Sequence, residues 1–181
     1  MVKIILDLCG GTGAWSAPYV KAGYAVRIID LKNGCDVRLF ERPPEQVYGI
    51  LAAPDCTHFA GSGARWWKEK GTGPLLEGLS VTDACLRIVF ACQPKFWALE
   101  NPIGRLVRYL GKPVMYFNPC DYGDPYTKKT ALWGMFNVPE KNPVEPTEGS
   151  KMNRIPPKPE RAMLRSITPP GFARAFFEAN R

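Results

Sequence analysis

Two short segments carry residue types capable of covalent chemistry. Cys56 follows the apolar run Tyr48–Ala53 and precedes a loop of small residues, and a cysteine at the carboxyl end of a strand is well placed to act as a nucleophile. A second apolar run, Phe96–Leu99, leads into Glu100 and Asn101. If both runs are neighbouring strands, the thiol, the acid and the amide face one crevice. An inert core cysteine and a satisfied core acid are the alternatives.

A glycine-rich turn near the start of the chain marks a candidate nucleotide site. The apolar run Lys3–Leu6 continues into a segment that contains Gly10, Gly11 and Gly13, and glycines at a strand-to-helix turn let the backbone approach a ligand closely. The spacing is not Gly-x-Gly-x-x-Gly, so a dinucleotide is not indicated. Asp30, after the next apolar run, suits a ribose diol. The pattern points toward a nucleoside cofactor such as S-adenosylmethionine, with other nucleotides and a structural turn as the alternatives.

These residues must be positioned by an alternation of apolar runs and helix-like stretches. The predicted strands are Lys3–Leu6, Ala25–Ile29, Tyr48–Ala53, Phe96–Leu99, Val114–Phe117 and Thr130–Phe136. The predicted helices are Trp15–Ala22, Val81–Cys92, Ile103–Leu110 and Phe172–Ala179. The alternation indicates one α/β domain over residues 1–181, with a mostly parallel central sheet and helices on both faces.

Two segments break the alternation. Residues 57–79 hold glycines, two adjacent tryptophans and several charges, and we predict an active-site loop there. Residues 137–170 carry eight of the 18 prolines, so we expect no long helix or central strand in this proline-rich strap. Between residues 151 and 165 the strap contains five basic residues that form a solvated surface or follow phosphates: Lys151, Arg154, Lys158, Arg161 and Arg165.

Composition narrows the class of protein. No apolar run in the 181 residues approaches the roughly 20 that span a bilayer, and the N-terminal run is too short for a signal peptide, so a cytoplasmic location is expected. The six cysteines form no Cys-x-x-Cys pair and the single histidine is His58, so no metal site is predicted. The net charge of +7 favours a polyanionic partner, with a merely basic soluble protein as the alternative.

Five segments, in order, resemble the motifs of the DNA (cytosine-5) methyltransferase family over nearly the whole chain. The family's Asp-Leu-Phe-Ala-Gly-x-Gly-Gly is similar to residues 7–14, and its catalytic Pro-Pro-Cys-Gln-x-Phe-Ser-x-x-Gly to residues 54–63. Its Glu-Asn-Val is similar to residues 100–102, and its Tyr-Gly-x-Pro-Gln-x-Arg-x-Arg to residues 122–130. Residues 166–173 resemble its last motif. The compact form resembles phage-encoded members, for which the location is the host cytoplasm.

The resemblance implies the Rossmann-like fold of S-adenosylmethionine-dependent methyltransferases and a covalent mechanism. The Cys56 thiolate would add to carbon 6 of cytosine and make carbon 5 nucleophilic toward the methyl group. Glu100 would hold ring N3 and the exocyclic amine, and Asn101 would brace the Cys56 loop. In duplex DNA the cytosine must be flipped out of the stack. The implied catalytic residues are Cys56, Glu100, Asn101, Lys128 and Thr130.

The resemblance also implies S-adenosylmethionine as the cofactor. Asp36 matches a family acid that contacts the adenine amine, and the last motif returns the chain to the cofactor. The implied cofactor-binding residues are Asp7, Leu8, Cys9, Gly10, Gly11, Thr12, Gly13, Trp15, Asp30, Leu31, Asp36, Val37, Pro54, Ser166 and Thr168. We expect a monomer that binds DNA and neither a membrane nor a metal.

Four positions depart from the family pattern. Asp55 replaces a proline beside the nucleophile, and a carboxylate near a thiol raises the thiol pKa if the side chains converge. Thr57 stands where glutamine is usual. Lys128 and Thr130 replace two arginines, the second of which normally holds the cytosine O2, and lysine lacks the planar fork of arginine.

The segment between Thr130 and Ser166 is short for a sequence-specific member of that family. It has about 35 residues, where such members insert a recognition domain. We therefore predict low sequence specificity, with roughly one or two flanking bases read at most. Two other functions stay open: methylation of a free cytidine nucleotide, and a catalytically impaired module that binds S-adenosylmethionine or DNA.

Overall fold

The computed structural model describes residues 2–156 and 161–181. Within these ranges six strands form, all close to their predicted positions: β1 (Ile4–Leu8), β2 (Ala25–Ile29), β3 (Val47–Ala52), β4 (Phe96–Pro102), β5 (Met115–Phe117) and β6 (Thr130–Met135). The α-helices in these ranges are α1 (Ala17–Lys21), α2 (Trp67–Lys70), α3 (Gly73–Cys92), α4 (Val107–Leu110), α5 (Lys151–Arg154), α6 (Arg161–Ser166) and α7 (Pro170–Ala179).

The strands pair into one open sheet in the order β2-β1-β3-β4-β6-β5. Strands β1 to β4 are parallel, and β6 runs antiparallel to both its neighbours. The prediction of a mostly parallel sheet is confirmed. Thr130 at the start of β6 pairs with Pro102 at the end of β4. The segment before β6 therefore reaches the edge at which β1, β3 and β4 end.

Helices cover both faces of the sheet, as the sequence predicts. Successive residues of a strand point to opposite faces, and the strands contribute accordingly to two cores. On one face Leu6 belongs to a core with Cys85 and Ile88 of α3. On the other face Ile5 belongs to a core with Tyr19 of α1 and with aromatic residues of α7. The sheet thus presents only its edges and strand ends to a ligand.

Aromatic side chains hold α7 against the sheet. Phe172 stacks on Phe117 of β5 with ring centroids 3.9 Å apart, and Phe176 meets Trp15 edge-on at 5.4 Å. Phe172 and Phe176 are completely buried, and burial of such a side chain contributes about 1.5–3 kcal/mol. The chain just before α7 is therefore held near Trp15 and the turn after β1.

The predicted loop over residues 57–79 is shorter in the structure. Residues 61–66 form a 3₁₀ helix that leads into α2, and α3 begins at Gly73 instead of Val81. Pro74 lies in the first turn of α3, where a missing backbone N–H costs no intrahelical hydrogen bond. The glycine and proline that suggest a loop are the beginning of a helix.

The proline-rich strap, residues 137–170, is described except for residues 157–160. Its described part contains only the short helices α5 and α6 and no strand. Lys158, one of its basic residues, lies outside the described residues. Across the described ranges, no helix has both the length and the apolar character needed to cross a membrane.

Candidate active site

A cleft of about 540 Å³ opens at the carboxyl edge of the sheet. Its walls come from the turn after β1, the loop after β3, the end of β4, the segment before β6 and the end of the strap. Its volume is that of a small-molecule site. Twelve of the predicted site residues line it: Asp7, Cys9, Gly10, Gly11, Thr12, Trp15, Pro54, Cys56, Glu100, Lys128, Ser166 and Thr168.

The other predicted site residues lie behind the cleft or away from it. Leu8, Gly13 and Val37 are buried, and Leu31 is 68% exposed. The remaining four are polar residues whose side chains hydrogen-bond within the protein: Asp30, Asp36, Asn101 and Thr130.

The backbone after β3 forms a tight turn that carries the Cys56 thiol into the cleft. The carbonyl of Cys56 accepts hydrogen bonds from the backbone N–H groups of Phe59 and Ala60, each at 2.9 Å. Cys56 is half-buried, and Glu100 at the end of β4 lines the same cleft. The structure therefore brings together the thiol and the acid that the two strand ends predict.

Charges of both signs act on the Cys56 thiol. Burial, followed by the negative charges of Glu100 and Asp55, raises the pKa of Cys56 to about 11. The positive charges of Lys128 and Arg165 act in the opposite direction. The thiol is thus protonated in the free protein at neutral pH.

Asp55 and Thr57, which both differ from the motif that the chain resembles, are hydrogen-bonded to each other. The Oδ1 atom of Asp55 accepts a hydrogen bond from the backbone N–H of Thr57 at 3.0 Å and another from its hydroxyl at 2.7 Å. An aspartate that bonds to the backbone two residues later stabilises a turn. Asp55 therefore shapes the loop of the nucleophile, and its charge still raises the pKa of Cys56.

The end of β4 and the chain directly after it contact this loop. Asn101 is completely buried, and its Nδ2 donates to the carbonyl of Pro54 at 2.9 Å. The backbone N–H of Arg105 donates to the carbonyl of Phe59 at 2.9 Å. A Cβ at Gly104 would lie 1.8 Å from that carbonyl oxygen, so only glycine allows the two segments to touch. Asn101 thus has the bracing position that the resemblance implies.

The turn after β1 is built around the carboxyl group of Asp7. Its Oδ2 atom accepts a hydrogen bond from the hydroxyl of Ser16 at 2.5 Å, and its Oδ1 atom has no partner within the described residues. Burial raises the pKa of Asp7 to about 6, although the Ser16 hydrogen bond opposes the shift. A Cβ at Gly10 would lie 2.4 Å from Cγ of Asp7, so the chain passes over this carboxyl group only with glycine there.

Trp15, in the same turn, adds an unpaired donor within the described residues. Its Nε1 atom is buried without a hydrogen-bond partner in the described part of the chain, and the side chain lines the cleft. Buried polar atoms are nearly always hydrogen-bonded in proteins. The turn after β1 therefore fits a ligand that presents both a donor and an acceptor.

Asp30 supports the turn from the neighbouring strand. Its Oδ2 atom accepts from the backbone N–H of Gly11 and its Oδ1 atom from that of Lys32, both at 2.8 Å. Each carboxylate oxygen can accept a second hydrogen bond. The ribose contact of Asp30 stays a prediction, and the observed role of this side chain is to join β2 to the glycine turn.

Asp36 is paired with a neighbouring arginine. Its Oδ2 atom lies 2.6 Å from Nη2 of Arg38, and this hydrogen-bonded pair lowers the pKa of Asp36. Arg38 also pairs with Glu77 of α3 at 2.6 Å. The adenine contact of Asp36 stays a prediction, because it requires the carboxylate to turn from Arg38 toward the cleft.

The cleft differs from the predicted site at two residues, Thr130 and Arg165. Thr130 is 1% exposed, and its hydroxyl donates to the carbonyl of Lys128 at 2.9 Å, so it does not line the cleft. Arg165, which is absent from the predicted site, lines the cleft with Lys128. The basic residues of the strap are the only sequence signal for it, and they do not show that α6 folds back onto the nucleophile.

Metal ligands do not cluster in residues 2–156 and 161–181: no group of three His, Cys, Asp or Glu side chains could hold an ion.

Comparison with solved structures identifies the fold. The chain superimposes on a proposed DNA modification methyltransferase encoded within an Escherichia coli prophage, with a TM-score of 0.52 and 18% sequence identity. The match covers 79% of this chain and 53% of that one, so this chain spans about half the length of the prophage protein. No protein-family model matches the sequence, and no curated protein does. The likeness shows the Rossmann-like methyltransferase fold.

Proposed function

We propose that the chain is an S-adenosylmethionine-dependent methyltransferase that methylates carbon 5 of cytosine in DNA. One observation carries the proposal: the Cys56 thiol, the Glu100 carboxyl group and the glycine turn after β1 line a single cleft. A nucleophile, an acid and a turn suited to a nucleoside are the parts that this chemistry requires. The fold shared with the prophage protein is consistent with them.

The unpaired atoms of the turn after β1 fit the cofactor. The Oδ1 atom of Asp7 suits the ammonium group of its methionine part, and Nε1 of Trp15 suits the carboxylate. Gly10 and Gly11 allow the backbone to approach it closely. When bound, S-adenosylmethionine supplies an electrophilic methyl group on a sulfonium.

Cys56 forms the covalent bond of the proposed reaction. Its thiol loses a proton to solvent, and the sulfur bonds to carbon 6 of cytosine while the electron pair of the C5–C6 double bond becomes available at carbon 5. Carbon 5 uses this pair to take the methyl group, while the pair of the broken methyl–sulfur bond stays on the sulfur of the cofactor, which would leave as a neutral thioether. It then loses its proton to water, the double bond forms again and the C–S bond breaks, which returns the thiolate. Glu100 shares a proton with ring N3 and stabilises the charge that develops there.

A polymeric substrate is favoured over a free nucleotide by the charge of the protein. The net charge is +7, and Lys and Arg residues gain affinity for nucleic acids by neutralising phosphates. Lys128, Lys129 and Arg165 line the cleft itself.

Trapping with 5-fluorocytosine tests the proposal. Fluorine at carbon 5 cannot leave as a proton does, so DNA that contains this base, mixed with S-adenosylmethionine, should stay bonded to the protein. We expect a denaturant-stable adduct with the wild type and none with Cys56→Ala. Cys35→Ser is the matched control, because Cys35 is an exposed cysteine outside the cleft, and it should trap DNA normally.

Two measurements complete the test. Calorimetric titration with S-adenosylmethionine should show that Cys56→Ala still binds the cofactor, so that loss of the adduct reports chemistry and not misfolding. A fluorinated cytidine nucleotide replaces DNA in a parallel reaction. An adduct that survives Cys56→Ala, or one that forms with the nucleotide and not with DNA, contradicts the proposal.

A further inference from the structure

Two cationic side chains line the cleft that holds Cys56, and they come from separate segments. Lys128 precedes β6, and Arg165 lies in α6 of the strap. Both line the cleft with Cys56 and Glu100. Both positive charges favour ionisation of the thiol, against the negative charges of Glu100 and Asp55. If either cation is removed, less positive charge remains to counter the effect of the two carboxylates on the pKa of the thiol.

Strand β6 supplies no guanidinium group to the cleft. Thr130 occupies the position at which the resemblance implies an arginine, and its buried hydroxyl is bonded to the carbonyl of Lys128. Lys128 has one compact ammonium group, which cannot bond to two acceptors in a plane as a guanidinium does. A planar, permanently charged group in the cleft must come from another segment.

Two contacts hold the backbone of Arg165 at the cleft. The Nζ atom of Lys128 donates to the backbone carbonyl of Arg165 at 2.9 Å. After Arg165 the chain passes Ser166 and Thr168, which also line the cleft, and enters α7, whose aromatic residues pack on the sheet. Arg165 is therefore fixed at its backbone while its side chain faces the cleft.

We propose that Arg165 is a catalytic residue whose guanidinium contacts the Cys56 thiolate and the carbonyl oxygen of the target pyrimidine, so that the strap provides the cation that β6 lacks. The contact with the pyrimidine rests on the proposed function, and the contact with the thiolate does not. When the thiol proton passes to solvent, the guanidinium balances the charge left on sulfur. When sulfur bonds to carbon 6, the same group donates to the carbonyl oxygen of the ring.

Alkylation of Cys56 in the free protein tests the thiolate contact without any methyl transfer. The rate of reaction with iodoacetamide at about pH 8 follows the thiolate fraction, and mass spectrometry of the Cys56 peptide separates this cysteine from the others. Arg165→Gln should slow the reaction roughly tenfold, because a rise of about one pKa unit reduces the thiolate tenfold. Arg174→Gln makes the same charge change on an exposed residue of α7 and should leave the rate unchanged.

Arg165→Lys separates charge from shape. It keeps the positive charge and should alkylate within about threefold of the wild-type rate. It loses the planar fork, so methyl transfer to cytosine-containing DNA should fall at least tenfold, by about the factor expected for one lost charge-assisted hydrogen bond.

Each outcome decides one of the two proposals. If Arg165→Gln is alkylated as fast as the wild type, the inference about Arg165 is overturned whatever the methyl-transfer assay shows. If it is alkylated slowly but the wild type transfers no methyl group, the proposed function fails and the thiolate contact stands. If Arg165→Lys transfers methyl groups at the wild-type rate, the contact with the pyrimidine is overturned.

Discussion

At the residue scale, the surroundings of Cys56 keep its thiol protonated in the free protein at neutral pH. Burial, Glu100 and Asp55 together outweigh Lys128 and Arg165, so the pKa of Cys56 is raised to about 11. A protonated thiol resists alkylation and oxidation, which require the thiolate. A pyrimidine that shares a proton with Glu100 would neutralise one of the opposing charges and make ionisation easier.

Asp7 gives the fold a predictable dependence on pH. Its pKa is about 6 in the folded protein and 3.8 in the reference state, so the folded state holds the proton more tightly. The stabilisation from this group is complete below about pH 4 and is lost as pH rises through about 6, a change of about 3 kcal/mol. An asparagine side chain does not titrate, so Asp7→Asn does not lose this stabilisation. As pH rises between those values, the free energy of unfolding of Asp7→Asn should therefore increase by about 3 kcal/mol relative to that of the wild type.

Urea denaturation of both proteins across this range measures the difference. The other titrating groups are common to both, so they cancel. Asp83→Asn, which changes an exposed acid of α3, should follow the wild type at every pH. A constant difference between Asp7→Asn and the wild type would show that Asp7 does not titrate near pH 6.

The predictability of the site follows from how each residue is connected to the sheet. Cys56 and Glu100 could be predicted because each follows a strand directly, and parallel strands end at one edge. Arg165 could not, since residues 136–164 separate it from the end of β6. The pairing of Asp36 with Arg38 was equally hidden, because spacing alone does not show which cation a carboxylate meets.

At the scale of elements, the loop of the nucleophile depends on a close backbone contact with the chain after β4. Gly104→Ala would place a methyl group 1.8 Å from the Phe59 carbonyl oxygen. The two segments must separate, and we expect a loss of about 1–3 kcal/mol in the free energy of unfolding. Trapping of 5-fluorocytosine DNA should also fall, because the Cys56 turn moves with Phe59.

Gly73→Ala is the matched control for this change. Gly73 begins α3, and a Cβ there meets nothing within 4 Å. The free energy of unfolding should stay within about 1 kcal/mol of the wild-type value or rise slightly, because alanine favours a helix. Equal losses in both variants would mean that the contact at Gly104 does not position the loop.

Most elements could be predicted from the sequence, and the exceptions have local causes. Each strand is a compact apolar run, and Ala25–Ile29 has its predicted bounds. The start of α3 was missed because Gly73 and Pro74 are typical of a loop as well as of a first helical turn. The insertion of β6 between β4 and β5 depends on long-range pairing, for which a single run carries no signal.

At the scale of the whole molecule, the basic residues of the strap have two kinds of surroundings: some contact other groups of the strap, and one lines the cleft. Lys151 pairs with the carboxylate of Glu148, and Arg154 donates to the carbonyl of the same residue. Arg165 lines the cleft. Under the proposed function, the described strap would offer few side chains to read bases beyond the target, in agreement with the short segment between β6 and α7.

Low sequence specificity is the prediction that follows. Methylation of random duplex DNA, read by sequencing that distinguishes 5-methylcytosine, should show a target with fewer than about four fixed positions, because each direct base contact requires a side chain in a groove. Cys56→Ala supplies the background. A longer fixed motif would contradict the prediction and would require a reading surface elsewhere in the chain.

The packing of α7 on Trp15 has a consequence for synthesis of the protein. A ribosome releases the turn after β1 before the end of the strap, because Ser166, Thr168 and the aromatic residues of α7 emerge more than 150 residues later. The earliest and latest of these segments wall one cleft. A nascent chain therefore carries Cys56 long before it can form the whole cleft, and under the proposed function methyl transfer would have to wait until translation has passed α7.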